Sequence, residues 1–146
     1  MKKFLIIIFC FFSLNRAYAQ KPACGCVTKE GVNSVQVDGI VKYKGTSQTL
    51  GHTYEVNLVF INESKCSVKV ENVLIGTTDI KPNILLAVDA KNRKKTFKKT
   101  LQLKTLLEPS VGLDDALFAD LLVSYRIGSK ECSNEVTVGY EKLTKK

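Results

Sequence analysis

HTYEVNLVFI, residues 52–61, sets Tyr54, Val56, Leu58 and Phe60 at every second position, with Glu55 and Asn57 between them and Val59 as the apolar exception. Successive side chains of a strand point to opposite faces, so this two-residue period marks a strand with one face on a core. The polar NES at 62–64 ends it. Upstream, VQVDGIVKYK (35–44) alternates around Gly39 and stops at the turn Gly45-Thr46-Ser47. Sustained helical spacing is scarce anywhere in the chain.

Downstream, SVKVENVLI (67–75) places Val68, Val70 and Asn72 on one face, and a bulge near Asn72 returns Val73 and Ile75 to the core side. ILLAVDA (84–90) reads as a short apolar strand. KNRKKTFKKTLQLKTLL (91–107) reads as a basic turn followed by a strand marked by Phe97, Leu101 and Leu103. After the loop EPSVGLDD (108–115), ALFADLLVSYRIG (116–128) turns Leu117, Ala119, Leu121, Val123, Tyr125 and Ile127 inward. The hairpin signal GSKECSN (128–134) leads to the last strand, EVTVGYEKL (135–143). A helix over Leu113 to Leu122 is the competing reading, and the alternation continuing through Tyr125 and Ile127 argues against it.

About seven strands at regular spacing give an all-β chain, read here as an immunoglobulin-like antiparallel β-sandwich. Asp114-x-Ala116-x-Phe118 resembles the corner ahead of the sixth strand in immunoglobulin domains, where a tyrosine stands in place of Phe118. The resemblance implies a fold and no activity.

Residues 1–19 have the three parts of a secretory signal: Lys2 and Lys3, an apolar run from Phe4 to Leu14, and the small-x-small site Ala17-Tyr18-Ala19. The apolar run is too short to span a bilayer, so no transmembrane anchor is expected after cleavage. The expected organisation is a signal at 1–19, a Cys-x-Cys segment at 20–30 and one domain at 31–146. Cys10 leaves with the signal, which also carries three of the 22 basic residues and none of the 14 acidic ones, lowering the net charge from +8 to +5. The lysine-led start and the Ile, Lys and Asn usage point to a bacterial source.

Four cysteines remain: Cys24, Cys26, Cys66 and Cys132. In a seven-strand sandwich the connections holding Cys66 and Cys132 lie at one end, where the first strand also begins, so all four thiols converge there. An even set in an exported chain points to two disulfides, with Cys24 and Cys26 each pairing with one of Cys66 and Cys132. A direct Cys24–Cys26 bridge would close a strained ring. Two alternatives use the same residues. Four thiolates hold Cu(I) or Zn²⁺ tetrahedrally if the cluster stays reduced. Or Cys24-Gly25-Cys26 exchanges disulfides, with Lys21 or Lys29 lowering a thiol pKa. An immunoglobulin-like periplasmic chaperone family associated with curli secretion also carries a Cys-x-Cys pair, but at its second connection, and the resemblance extends to no individual residue.

The run KNRKKTFKK (91–99) holds six cations, Lys91, Arg93, Lys94, Lys95, Lys98 and Lys99, and no acid. It serves either as a polyanion or anionic-surface contact or as lysines that guard a sheet edge against aggregation. His52 is the single histidine, read as a surface or loop residue at the end opposite the cysteines; no nucleophile set, phosphate loop or metal-ligand helix accompanies it. Asn62-Glu63-Ser64 matches a glycosylation sequon. The expectation is therefore a non-enzymatic accessory or binding protein of the bacterial envelope, periplasmic or secreted, without cofactor. Its partner is expected to be another envelope or extracellular protein and not nucleic acid. A thiol-based metal or redox protein is the alternative.

Overall fold

The computed structural model describes residues 24–143. The signal at 1–19 and Cys10 lie outside the described residues.

Among the described residues nine strands form the fold: β1 (Val35–Ser47), β2 (Gly51–Asn62), β3 (Val68–Ile75), β4 (Thr78–Ile80), β5 (Ile84–Leu86), β6 (Lys94–Leu103), β7 (Ser110–Val111), β8 (Leu117–Ile127) and β9 (Lys130–Glu141). Hydrogen bonding joins them along the path β4-β3-β8-β9-β1-β2-β6, with β5 added to β3 and β7 to β8. The result is a mostly antiparallel sheet nearly closed into a barrel. Every pairing is antiparallel except one: β1 and β9 run parallel where Ile40, Val41 and Lys42 meet Gly139, Tyr140 and Glu141. The expectation of a wholly antiparallel arrangement is corrected there.

Each apolar alternation lands on the core. Tyr54, Val56, Leu58, Phe60, Leu121, Val123 and Tyr125 are all 2% exposed or less. In β3 the register shifts between Val70 and Asn72, and past that irregularity Val73 and Ile75 return to full burial. The bulge is what reconciles an out-of-phase sequence with a single buried face.

Two expectations need correcting. The strand expected over 84–90 is only Ile84–Leu86, because the Asp89 carboxylate accepts from the Lys91 and Asn92 amides and bends the chain into a turn. The expected basic turn is largely strand, since β6 already begins at Lys94 and pairs with β2 from Ile61↔Lys94 to His52↔Leu103. Long lysine stems are tolerated because β6 ends the path and leaves one edge to solvent. The stretch Leu113–Asp115 makes one tight turn, with Asp114 and Asp115 at φ +58° and +59°, and β8 follows directly.

Gly39 lies within β1, opposite Leu58 of β2. It sits at φ +153°, and a Cβ there would run into the Asn57 carbonyl oxygen and come within 2.9 Å of the Leu58 Cα. Gly45 also has a positive φ, +130°, but open space around it. Gly45→Ala should therefore cost only the local strain, about 1–3 kcal/mol. Gly39→Ala must also displace the β2 backbone, so urea melts should show it as clearly the more destabilising of the two. Equal losses would mean the close approach is relieved by a backbone shift.

Candidate functional site

The two ends of the barrel differ. At the end where β1 starts and β2 finishes, Cys24 pairs with Cys66 and Cys26 with Cys132 at disulfide distance, with Cα separations of 6.1 and 5.5 Å. Cys132 lies within β9, opposite Tyr125, and not in the hairpin turn itself. Hydrogen bonds seat the cysteine segment on the sheet. The Tyr125 hydroxyl lies 2.9 Å from the Cys26 carbonyl and 3.3 Å from Asn134 Oδ1. Asn134 in turn donates to the Val35 carbonyl. The Ser34 amide donates to the Cys26 carbonyl, and its hydroxyl to that of Gly25. Burial pushes the Tyr125 phenol up despite the hydrogen bonds to it.

Asn62 is the second anchor at this end. Fully buried, its Nδ2 donates to the carbonyls of Cys66, Leu86 and Ala87, and its Oδ1 accepts from the Ser64 amide and hydroxyl. An amide nitrogen shared among three carbonyls inside the protein is closed to glycosylation in the folded state, so the sequon has a structural use instead.

These pairings differ from the arrangement that each thiol alternative needs. A tetrahedral Cu(I) or Zn²⁺ site needs four thiolates, and here the sulfurs of Cys24, Cys26, Cys66 and Cys132 are engaged two by two. No other group of histidine, cysteine or carboxylate side chains suited to a metal occurs among the described residues. Nor do Cys24 and Cys26 form a pair with each other, as exchange through Cys24-Gly25-Cys26 requires. Disulfide pairing points to an oxidising, non-cytoplasmic setting, and no described helix is long and apolar enough to cross a membrane.

The opposite end holds a cleft of about 570 Å³ lined by Tyr43, Leu106, Leu107, Pro109, Tyr140 and Leu143, with Lys142 and Glu108 at its margin. Two tyrosines of the lining pack on a third behind them: the Tyr54 ring lies 5.2 Å from that of Tyr43 and 6.4 Å from that of Tyr140. Tyr54 is buried, and its hydroxyl accepts a 2.9 Å hydrogen bond from the Leu107 amide, which fixes the loop after β6 as one wall. His52 stands at this end, as expected, but half-buried on β2, with Nδ1 3.3 Å from the Tyr43 hydroxyl and 3.1 Å from Thr46 Oγ1. Burial first, then Tyr54 and Tyr43, push the Tyr140 phenol up to about 12.

Sequence reading overlooked this cleft. Its signal was Leu106-Leu107 ahead of Pro109, apolar residues that continue past the last inward position of β6, Leu103, with no strand to bury them.

The six cations of 91–99 do not share one face. Arg93 pairs with Glu63 and donates through Nε to the Asn62 carbonyl. Lys91 sits in the turn before β6. The pleat divides the rest, Lys95 and Lys99 to one side and Lys94 and Lys98 to the other. No family model and no curated protein matches the chain, so the site has to be interpreted from its own chemistry.

Two outcomes test this arrangement. The links close 42 and 106 residues of sequence, so loop entropy assigns about 4 kcal/mol to the first and somewhat more to the second. Mass spectrometry after alkylation of the native protein should find no free thiol. Cys26→Ser with Cys132→Ser should lower Tm more than Cys24→Ser with Cys66→Ser, both variants keeping β-type circular dichroism at room temperature.

The second concerns pH. An unfolded tyrosine ionises near 10. The raised Tyr140 value therefore gives stability that is complete below about pH 10 and is lost as the pH climbs toward 12. Tyr140→Phe should make the fall in Tm between pH 10 and 12 shallower, as read from melts across that range.

Proposed function

We propose that this chain is an exported, non-enzymatic binding protein of the bacterial envelope, periplasmic or secreted after residues 1–19 are removed, with an immunoglobulin-like domain. The strand path supports the fold reading. The parallel β1–β9 contact divides it into β4-β3-β8-β9 and β1-β2-β6, two halves that share one core, as they would in a sandwich whose first strand belongs to both layers. The disulfides support the compartment.

The observation that carries the function is the cleft between Tyr43, Tyr140, Leu106 and Leu143. Leu106 and Leu143 stand 52% and 50% exposed at its rim, and Leu113 and Val111 in the neighbouring loop are more exposed still. A concave apolar site with aromatic walls and a few polar groups at its margin suits an apolar side chain presented by another protein. The partner is accordingly another envelope or extracellular protein that inserts such a side chain, while the disulfide end acts as scaffold.

A photo-crosslinking residue placed at Leu106, in the chain produced in its own cell, should give a discrete adduct with an envelope protein. Leu143→Asp should abolish that adduct without lowering Tm, since Leu143 is half exposed. The same crosslinker at Lys130, at the cysteine end, should give none. An adduct of equal yield at both positions, or none at Leu106, would overturn the reading.

A further inference from the structure

We infer that the free edge of β6 is a docking site for an extended acidic polypeptide segment, which adds to the sheet as a further strand. The inference shares with the proposed function only the idea of a binding protein and concerns a different surface.

β6 is ten residues long, ends the strand path and pairs with β2 alone. At the other end of the path, β4 and β5 are three residues each and pair only with β3. The barrel therefore has an unpaired seam bordered by the second edge of β6, which β5 approaches without hydrogen bonding to it. An unpaired edge offers a row of main-chain donors and acceptors to any extended chain of suitable side chains.

The side chains say which chain suits it. Lys95 and Lys99 lie on the core side of the pleat, in register with Phe60 and Val56, and Lys94 and Lys98 lie on the outer side, opposite Ile61 and Asn57. All four are exposed, and none forms an ion pair among the described residues, whereas Lys42, Lys44, Lys69, Arg93 and Arg126 each reach a glutamate. Half-buried Phe97 sits between the two lysine pairs. A second copy of β6 would bring lysines against lysines, which is unfavourable directly across a sheet. A strand with carboxylates at two adjacent positions, two apolar residues and two further carboxylates meets each lysine with an opposite charge and lays an apolar residue against Phe97. Because the lysines are split between two faces, the feature that lies between them, and that only a polypeptide can use, is the backbone edge.

The probe is a labelled ten-residue peptide with the core Glu-Glu-Val-Val-Glu-Glu and two threonines at each end, titrated by fluorescence anisotropy against the mature chain at low salt. Saturable binding is expected, with new hydrogen-exchange protection confined to residues 94–103. Lys95→Glu with Lys99→Glu should weaken binding at least tenfold with Tm retained. Leu143→Asp should leave it unchanged, which separates this site from the apolar cleft. Peptides N-methylated at every second amide keep the charge but block one edge of their own backbone. One methylation register should retain binding and the other should abolish it. Equal binding in both registers, with heparin competing, would make this a polyanion site and overturn strand addition. No saturable binding at millimolar peptide would overturn it as well.

Discussion

The three-residue parallel contact between β1 and β9, Ile40–Lys42 against Gly139–Glu141, holds the rest of the architecture in place. Without it the path separates into a four-strand and a three-strand half, each with an apolar face open to water. Two glycines lie at this contact, and only Gly39 has no room for a side chain. Gly139 faces Ile40, and Gly39 lets β2 approach β1 without a Cβ in the way. The outward-facing Lys42–Glu141 ion pair, 2.9 Å long, flanks the junction, although an exposed pair adds little by itself. Burial of Val41 and Tyr140 is the larger force there. Because this contact joins residues near opposite ends of the domain, it carries a high loop-closure cost before it returns any stability.

The two ends of the barrel divide the remaining tasks. At one, Asn62, Asn134 and Tyr125 occupy the interior and satisfy the backbone carbonyls of Cys26, Val35, Cys66 and Ala87. Buried polar groups of this kind are costly unless fully paired, and once paired they fix a single arrangement. The other end has apolar and aromatic walls and a loop anchored through the Tyr54 hydroxyl. Rigidity at one end and exposed apolar surface at the other suit a domain that presents a site on a stiff support.

Much of the fold was legible because burial on one face forces a two-residue period, and β2 and β8 obey it without interruption. The bulge in β3 was readable for the same reason, since Asn72 broke a phase that Val73 and Ile75 then resumed. Only the start of β6, Lys94 to Thr96, was hidden, because its exposed residues have no apolar period to show ahead of Phe97. The parallel pairing was invisible, as no local pattern records which distant strand lies alongside. Convergence of the cysteines followed from the inferred strand order, but spacing alone left open which of Cys66 and Cys132 takes Cys24. The apolar cleft joins Tyr43, Leu106 and Tyr140 from three distant segments, so only packing brings them together.

The cysteine pairing has a consequence in time. For a chain that crosses a membrane N-terminus first, Cys24 and Cys26 emerge together and Cys66 follows long before Cys132. During that interval either early thiol can capture Cys66, and only Cys24–Cys66 leaves the right partner waiting for Cys132. The competing Cys26–Cys66 link would leave Cys24 with Cys132, a pairing other than the one in the fold. On such a route a strong, indiscriminate oxidant would lower the yield of correctly joined protein, and a reshuffling catalyst would restore it. The sequential appearance of four sulfurs makes biogenesis of this small domain a question of order as well as of stability.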